Sequence, residues 1–468
     1  MTRARMRVAL FLFVWASCCW FGSWEFNPNN ATRLFASVGL VERGSAAIDR
    51  MAATTIDKSR FGAHFYLDKA PGMTLMALPA VALADALTQD REAAHPADVN
   101  DHGLARYYRL RLRLAVATGP ALLTALAAVL LYEIGIAITG SAAAGLFAAI
   151  GYALGAPIWG WSTTVFGHSS VAALYVVALW AGWQGPRLRH GFCAGLALGW
   201  AVGIEYQAVL AGAAIGIWIV WRAWHRPAHW RLYAAMLLGG LIAAVPIAAY
   251  NGVAFGTVFR IGYSGVVGYE GMRHGLFGLG LPRPVLLWEI TFGVHKGLFW
   301  IAPALLMALR GLAMLERCTA TQGLARTAAA VVAIVLLVNA AYYYWDGGNA
   351  TGPRHAMPLI GALAIGFAPF WAALRSRGAR IAALAVMGLS IVLNAVIAAA
   401  EILSPPQFTF PIWSAVIRDR FLQGDMRTWP SEWLGWSPWT GFALYVALAV
   451  PALLLLARAA CRADRLSA

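Results

Sequence analysis

Read from the N-terminus, the chain alternates long apolar runs with short polar breaks. Twelve runs are long enough to be expected as membrane-crossing helices: residues 8–24, 114–132, 141–160, 166–184, 191–204, 207–221, 232–250, 298–315, 327–344, 356–374, 381–403 and 441–457. A helix perpendicular to the bilayer needs about 20 apolar residues, and the 191–204 run falls short of that. A further apolar stretch, 71–87, carries Pro79 and Asp85. Its reading fixes the parity of everything after it. If it does not cross, the compact basic loops around Arg187 and Arg189, Arg222 to Arg231, Arg317 and Arg326, Arg375 to Arg380, and Arg458 to Arg465 all share one side. That is the distribution expected of cytoplasmic loops. If it does cross, all five fall outside.

The stretch is therefore expected to be a juxtamembrane helix at the outer interface. Residues 25–113 then form one long external loop, with further external loops at 251–296, 345–355 and 404–440. Both termini are expected in the cytoplasm, and the fold class is an all-α polytopic membrane protein of about twelve helices in a single domain, 1–468. The basic run from Arg106 to Arg113 falls outside, which a loop longer than about 60 residues tolerates.

Composition agrees. Of 468 residues 60% are hydrophobic and 12% charged, and mean hydropathy is +0.64, whereas a soluble domain carries about 25% charged residues. The net charge of +15 belongs to the inner loops rather than to a nucleic-acid surface. Five cysteines show neither zinc spacing nor a disulfide framework. No clean small-residue cleavage site follows the first apolar run, so a retained helix is expected there rather than a signal peptide.

The polar, Gly/Pro-punctuated segments then gather on the outer side. The loop segment "HFYLDKAPG", residues 64–72, holds Tyr66, Asp68 and Lys69. Asp49, Asp57 and Asp68 each lie beside a basic residue, Arg50, Lys58 and Lys69. They read either as solvated ion pairs or as a general base beside cations that hold an anionic substrate. His168 opens a span and Glu205–Tyr206 form a turn between two spans; ionisable groups so near lipid are functional candidates, or simple caps. In "WDGGNATGPRH", Asp346, Arg354 and His355 flank three glycines and Pro353, a reading that offers a phosphate seat at a helix start or an exposed turn. Lys296, in "VHKGLF", is a second cation that either binds or snorkels. A divalent metal has loop carboxylates to bind, but no spacing demands one.

Together these pieces resemble the GT-C superfamily of membrane glycosyltransferases. They are most similar to bacterial family-39-type enzymes, which include aminoarabinose transferases and protein O-mannosyltransferases. The likeness is carried by "NNATR" with Arg33, "GLVERGSAAID", "LDKAPG", "FGH", "EY", "KGLF" and "GGNATGPR". The resemblance implies a glycosyltransferase with a polyprenyl-phosphate sugar donor, an envelope acceptor and a place in the bacterial inner membrane. It implies phosphate contacts from Lys69 and Arg354 and suggests that Asp68 orients sugar or acceptor; Lys296 and Arg33 are further candidates for binding donor phosphate, and Asn30, Tyr66, His168, Glu205, Tyr206, Asp346 and His355 for binding substrate. The pattern departs at one position: where the aminoarabinose branch has an acid three residues before its arginine, this chain has Asn30. A substitute base is then expected among Asp49, Asp68 and Asp57, in that order. The alternatives are a non-catalytic relative that binds polyprenyl phosphate, and a lipid-linked sugar flippase or transporter, though no inverted repeat of the transporter kind stands out.

Overall fold

The computed structural model describes residues 2–405 and 407–467. All twelve predicted runs are helical, several with breaks where the sequence places Pro or Gly. The 141–160 run splits into Ala142–Ala153 and Ile158–Trp161 around Gly155 and Pro157, and the 298–315 run splits at Pro303 into Leu298–Ile301 and Leu305–Leu315. Proline supplies no N–H and clashes with the preceding turn, so a helix ends or kinks there. Among the described residues, five helices are long and apolar enough to cross a membrane by length and composition: His102–Thr139, His229–Phe255, Thr319–Ala341, Arg377–Ala400 and Pro438–Leu466. Leu237, Leu241 and Val245 on one of them, and Leu448, Leu454 and Leu455 on another, are exposed, as expected of faces solvated by lipid rather than by water. The only sheet among the described residues is a hairpin of Ser59–Phe61 and His64–Tyr66, with Ser59 opposite Tyr66.

Small residues bring neighbouring helices into backbone contact. A Cβ on Gly195 would lie 1.8 Å from the Met236 carbonyl oxygen, and one on Gly239 would lie 2.2 Å from that of Phe192. Leu188–Ile204 and His229–Phe255 therefore pack without intervening side chains, the arrangement by which helices associate where no hydrophobic driving force separates them from lipid.

Cross-bundle contacts sort the connectors into two ends. At one end Arg3 and Arg7 clamp Glu133. Asp464 accepts from Ser141 Oγ at 2.7 Å and caps the helix that begins at Ala142, while Arg222 donates to the Gly182 carbonyl. At the other end Phe21 bridges to Thr428, Ser59 to Val266, and Ala350 to Leu403. Arg113 there joins the Phe21 carbonyl to Glu432. Arg3, Arg7 and Asp464 thus fasten to the 133–142 connector, while the segments around Phe21, Ser59, Val266, Ala350, Leu403 and Thr428 pair among themselves.

The 71–87 stretch forms the helix Gly72–Thr88. Gly72 abuts the Gly203 backbone, at the tip of Leu188–Ile204. Asp85, near its other end, is buried between Arg91 at 2.6 Å and Arg111. Arg111 belongs to His102–Thr118, half a turn from Arg113 on the same helix. Both ends of the short helix therefore meet residues of the polar end of the bundle.

Candidate active site

A cavity of about 350 Å³ opens at the polar end of the bundle. Its floor and walls come from segments far apart in sequence, and local structure explains how each side chain is aimed. The 59–66 hairpin closes when Ser59 Oγ donates to the Leu67 carbonyl, which leaves Asp68 and Lys69 on the short link before Gly72–Thr88. Thr55 Oγ1 accepts from the Asp57 N–H at 3.2 Å and turns that carboxylate inward. Lys69 Nζ sits between two carboxylates, bonded to Asp68 Oδ2 and 3.4 Å from Asp57 Oδ2. Tyr269 donates to Asp57 Oδ1 at 2.8 Å, and Lys69 lies 5.9 Å from the centre of the same ring. Asp68 Oδ1 is buried with no partner in the protein.

These contacts decide the charge states. Burial pushes the Asp68 carboxyl up to about 6, with Lys69 opposing and Asp57 adding to the rise. For Asp57 burial acts in the same direction, but Lys69, Arg354 and the Tyr269 hydroxyl outweigh it and hold the carboxyl below its usual range. Burial would neutralise Lys69, yet Asp57 and Asp68 keep its ammonium more basic than usual. One carboxylate thus stays charged while its neighbour titrates near neutrality.

Arg354 reaches the cavity from a tight loop. Gly347 takes φ 67°, and a Cβ there would meet Arg354 Cγ at 2.8 Å, so this loop needs glycine for both conformation and space. The expected helix start at Pro353 is only a three-residue 3₁₀ turn, Arg354–Ala356; any anion would be held here by the guanidinium rather than by a helix end. Arg354 packs over Phe166 at 5.6 Å, and its Nε has no protein partner. His355 stands against His168 with ring centres 5.3 Å apart, and neither His355 nitrogen is bonded. Glu205 accepts from Arg33 Nη2 at 3.2 Å and lies 4.0 Å from His168 Nδ1. The Tyr206 hydroxyl is likewise buried and unpartnered.

Eight of the predicted residues therefore line the cavity: Asp57, Asp68, Lys69, His168, Glu205, Tyr206, Arg354 and His355. Arg33 stands behind them, bonded to Glu205. The rest lie elsewhere. Asp49 is on the surface, with Oδ2 2.6 Å from His64 Nδ1 and Oδ1 accepting the Phe65 N–H. Tyr66 packs between Phe61 and Phe255. Lys296 is buried and donates to the Gly348 and Ala350 carbonyls at 2.8 and 2.6 Å, bracing the loop that carries Arg354; burial lowers its pKa to about 8. Asp346, partly buried on that loop, does not line the cavity. Asn30 donates to the Trp24 carbonyl and accepts the Val165 N–H, each at 3.1 Å. Sequence reasoning missed Tyr263, Tyr269, Tyr342 and Tyr344, which form an aromatic wall; the tyrosines punctuating the 251–296 loop and the Tyr342–Tyr344 triplet ending the 327–344 run were the available signal. Among the described residues no three His, Cys, Asp or Glu side chains gather as a metal site.

The all-α bundle, with one polar, carboxylate- and cation-lined end and, among the described residues, five helices long and apolar enough to cross a membrane, shares its fold with a solved structure. The chain is similar to the crystal structure of ArnT from Cupriavidus metallidurans bound to undecaprenyl phosphate, with TM-score 0.50 and 15% identity over 98% of this chain and 75% of that one. The apo structure of the same protein aligns at 0.49, also with 15% identity, over 98% and 74%. No family model and no curated protein matches the sequence.

Proposed function

We propose that this chain is a membrane glycosyltransferase. It takes a sugar from a polyprenyl-phosphate donor and passes it to a hydroxyl of an envelope acceptor, lipid, glycan or protein, at the outer face of a bacterial inner membrane. The observation that carries the reading is the buried Asp57–Lys69–Asp68 cluster with Arg354 in the same cavity. Transfer forms a bond from the acceptor oxygen to the anomeric carbon and breaks the bond from that carbon to the phosphate oxygen. The phosphate departs with the bonding electrons, and the acceptor proton needs a base.

Asp68 fits the base. Its free Oδ1 faces an otherwise satisfied cluster, and a carboxyl titrating at about 6 is close to the working pH at which proton transfer is most effective. Lys69 and Arg354 fit the departing phosphate, since fixed cations in a water-poor site stabilise charge that develops in the transition state. Asp57 keeps Lys69 charged and positioned. Asp49, on the surface, leaves the role of base to Asp68. The donor class is supported by the fold shared with ArnT, whose crystal structure holds undecaprenyl phosphate. The outward orientation is supported by the compact basic loops that the order of the apolar runs puts on one side.

One observation favours a second reading. Asn30, an amide where the resemblance leads one to expect an acid, is held by the Trp24 carbonyl and the Val165 N–H, which fits a chain that binds polyprenyl phosphate without turnover. The test is transfer of radiolabelled sugar from polyprenyl-phosphate donors by the purified protein, in wild type and in Asp68→Asn. Transfer that Asp68→Asn lowers about 10²- to 10⁴-fold is the expected result. Donor binding without transfer, over a broad acceptor panel, would establish the scaffold instead.

A further inference from the structure

The loop between the His229–Phe255 and Pro284–Thr291 helices is fastened to the segment that carries Asp57, Asp68 and Lys69. Val266 bridges to Ser59, and the Val267 N–H donates to the Lys58 carbonyl at 3.1 Å. A Cβ on Gly262 would lie 2.6 Å from the Leu67 carbonyl oxygen and 3.1 Å from the Asp68 carbonyl carbon. Tyr269 extends from this loop with its ring edge-on to Tyr344, centres 5.4 Å apart, and the Tyr344 hydroxyl accepts the Gly271 N–H at 3.0 Å. The tyrosine is thus held from two sides while its hydroxyl meets Asp57 Oδ1.

Lys69 is shared unequally. It is bonded to Asp68 Oδ2 but stands 3.4 Å from Asp57 Oδ2. Both acids are buried, so they compete for one ammonium. A buried carboxylate oxygen without a donor is costly, and at Asp57 the tyrosine supplies the second donor. From this arrangement we propose that Tyr269 is a positioning residue: its bond to Asp57 leaves Lys69 on Asp68, the residue that takes the acceptor proton. The functional half of this statement rests on the reading of Asp68 as base.

Without the hydroxyl Asp57 stays ionised, because Lys69 and Arg354 act on it more strongly than the tyrosine does. It then draws Lys69 away from Asp68, and Asp68, less paired, keeps its proton to higher pH. Tyr269→Phe retains the ring, 5.9 Å from Lys69, and removes the hydroxyl alone. The other charged or titratable groups acting on the three residues are Arg33, Arg354, His168, Glu205, Tyr250, Tyr263, Tyr342 and His355; the hydroxyl is bonded to Asp57 instead, so the substitution leaves them in place.

The experiment reads Asp68 directly with dicyclohexylcarbodiimide, which labels a carboxyl only while it carries its proton. Labelled Asp68 is quantified by mass spectrometry across pH in the full-length protein in detergent. The forms compared are wild type, Tyr269→Phe, Asp57→Asn and the double variant. In wild type, labelling should fall as pH rises, with a midpoint near 6. In Tyr269→Phe the midpoint should rise by about one pH unit, as for the loss of one hydrogen bond to a charged group. Asp57→Asn removes the competing carboxylate, so adding Tyr269→Phe to it should not move the midpoint further. A general loosening of the site would move it in both backgrounds. An unmoved midpoint in Tyr269→Phe, or an equal shift in the Asp57→Asn background, overturns the proposal. Transfer rates on the same proteins test the premise separately. Midpoints that move as expected while transfer is absent, or ignores them, leave Tyr269 in its role on the cluster and remove the reading of Asp68 as base.

Discussion

At Asp68 and Lys69 one ammonium serves two carboxylates and leaves them with different acidities. Asp57, with Lys69, Arg354 and Tyr269 around it, remains ionised, while burial holds Asp68 near 6. The sign of the pH dependence follows: below about 6 Asp68 carries its proton and cannot accept another. Transfer should therefore rise with pH through that value in wild type, and the limb should vanish in Asp68→Asn while donor binding persists. Arg354 is a cation of the cavity with no carboxylate bonded to it among the described residues. Arg354→Lys keeps the charge but loses the planar fork that grips phosphate. It should raise the KM for donor by about tenfold, and Arg354→Ala by roughly a hundredfold, measured by steady-state transfer. Of these roles the sequence displayed only the ingredients. Asp68 and Lys69 were visible as neighbours, but nothing local distinguished Asp57 from Asp49, because each has a basic residue beside it. The distinction comes from Tyr269, which reaches Asp57 from 212 positions away.

Among the helices, hydropathy located every apolar run, and the ends shifted wherever a cap or proline decided the boundary. Asp101 accepts from the Leu104 N–H and so starts a helix at His102, well before the apolar run expected at 114–132. Run lengths did not reveal which helices touch. That depends on small residues such as Gly195 and Gly239, whose missing side chains admit the neighbouring backbone. Gly195→Ala would drive a Cβ into the Met236 carbonyl and force the helices apart. It should destabilise the protein by about 1–3 kcal/mol, seen as a lower midpoint of thermal unfolding in detergent. Gly378→Ala, at a site with no neighbour within 4 Å, is the control and should not lower the midpoint.

Across the whole molecule, contacts such as Arg3–Glu133 and Ser141–Asp464 fasten residues near the two described termini to the connector after the Pro120–Thr139 helix, and none of these four lines the cavity. In a cysteine-free background, Ser264→Cys should react with a membrane-impermeant thiol reagent on intact cells, and Ser376→Cys only after permeabilisation. Both positions are exposed, so the reverse pattern would invert the orientation. The sequence by itself determined the all-α class and the apolar runs, because these are sums of transfer free energy over contiguous residues. Only the tertiary structure decided that Asp57 and Asp68 share Lys69, that Lys296 braces a loop, and that Asn30 ties backbone segments together. Each of those depends on burial and pairing between residues the chain brings together only on folding, and a one-dimensional pattern carries no record of either.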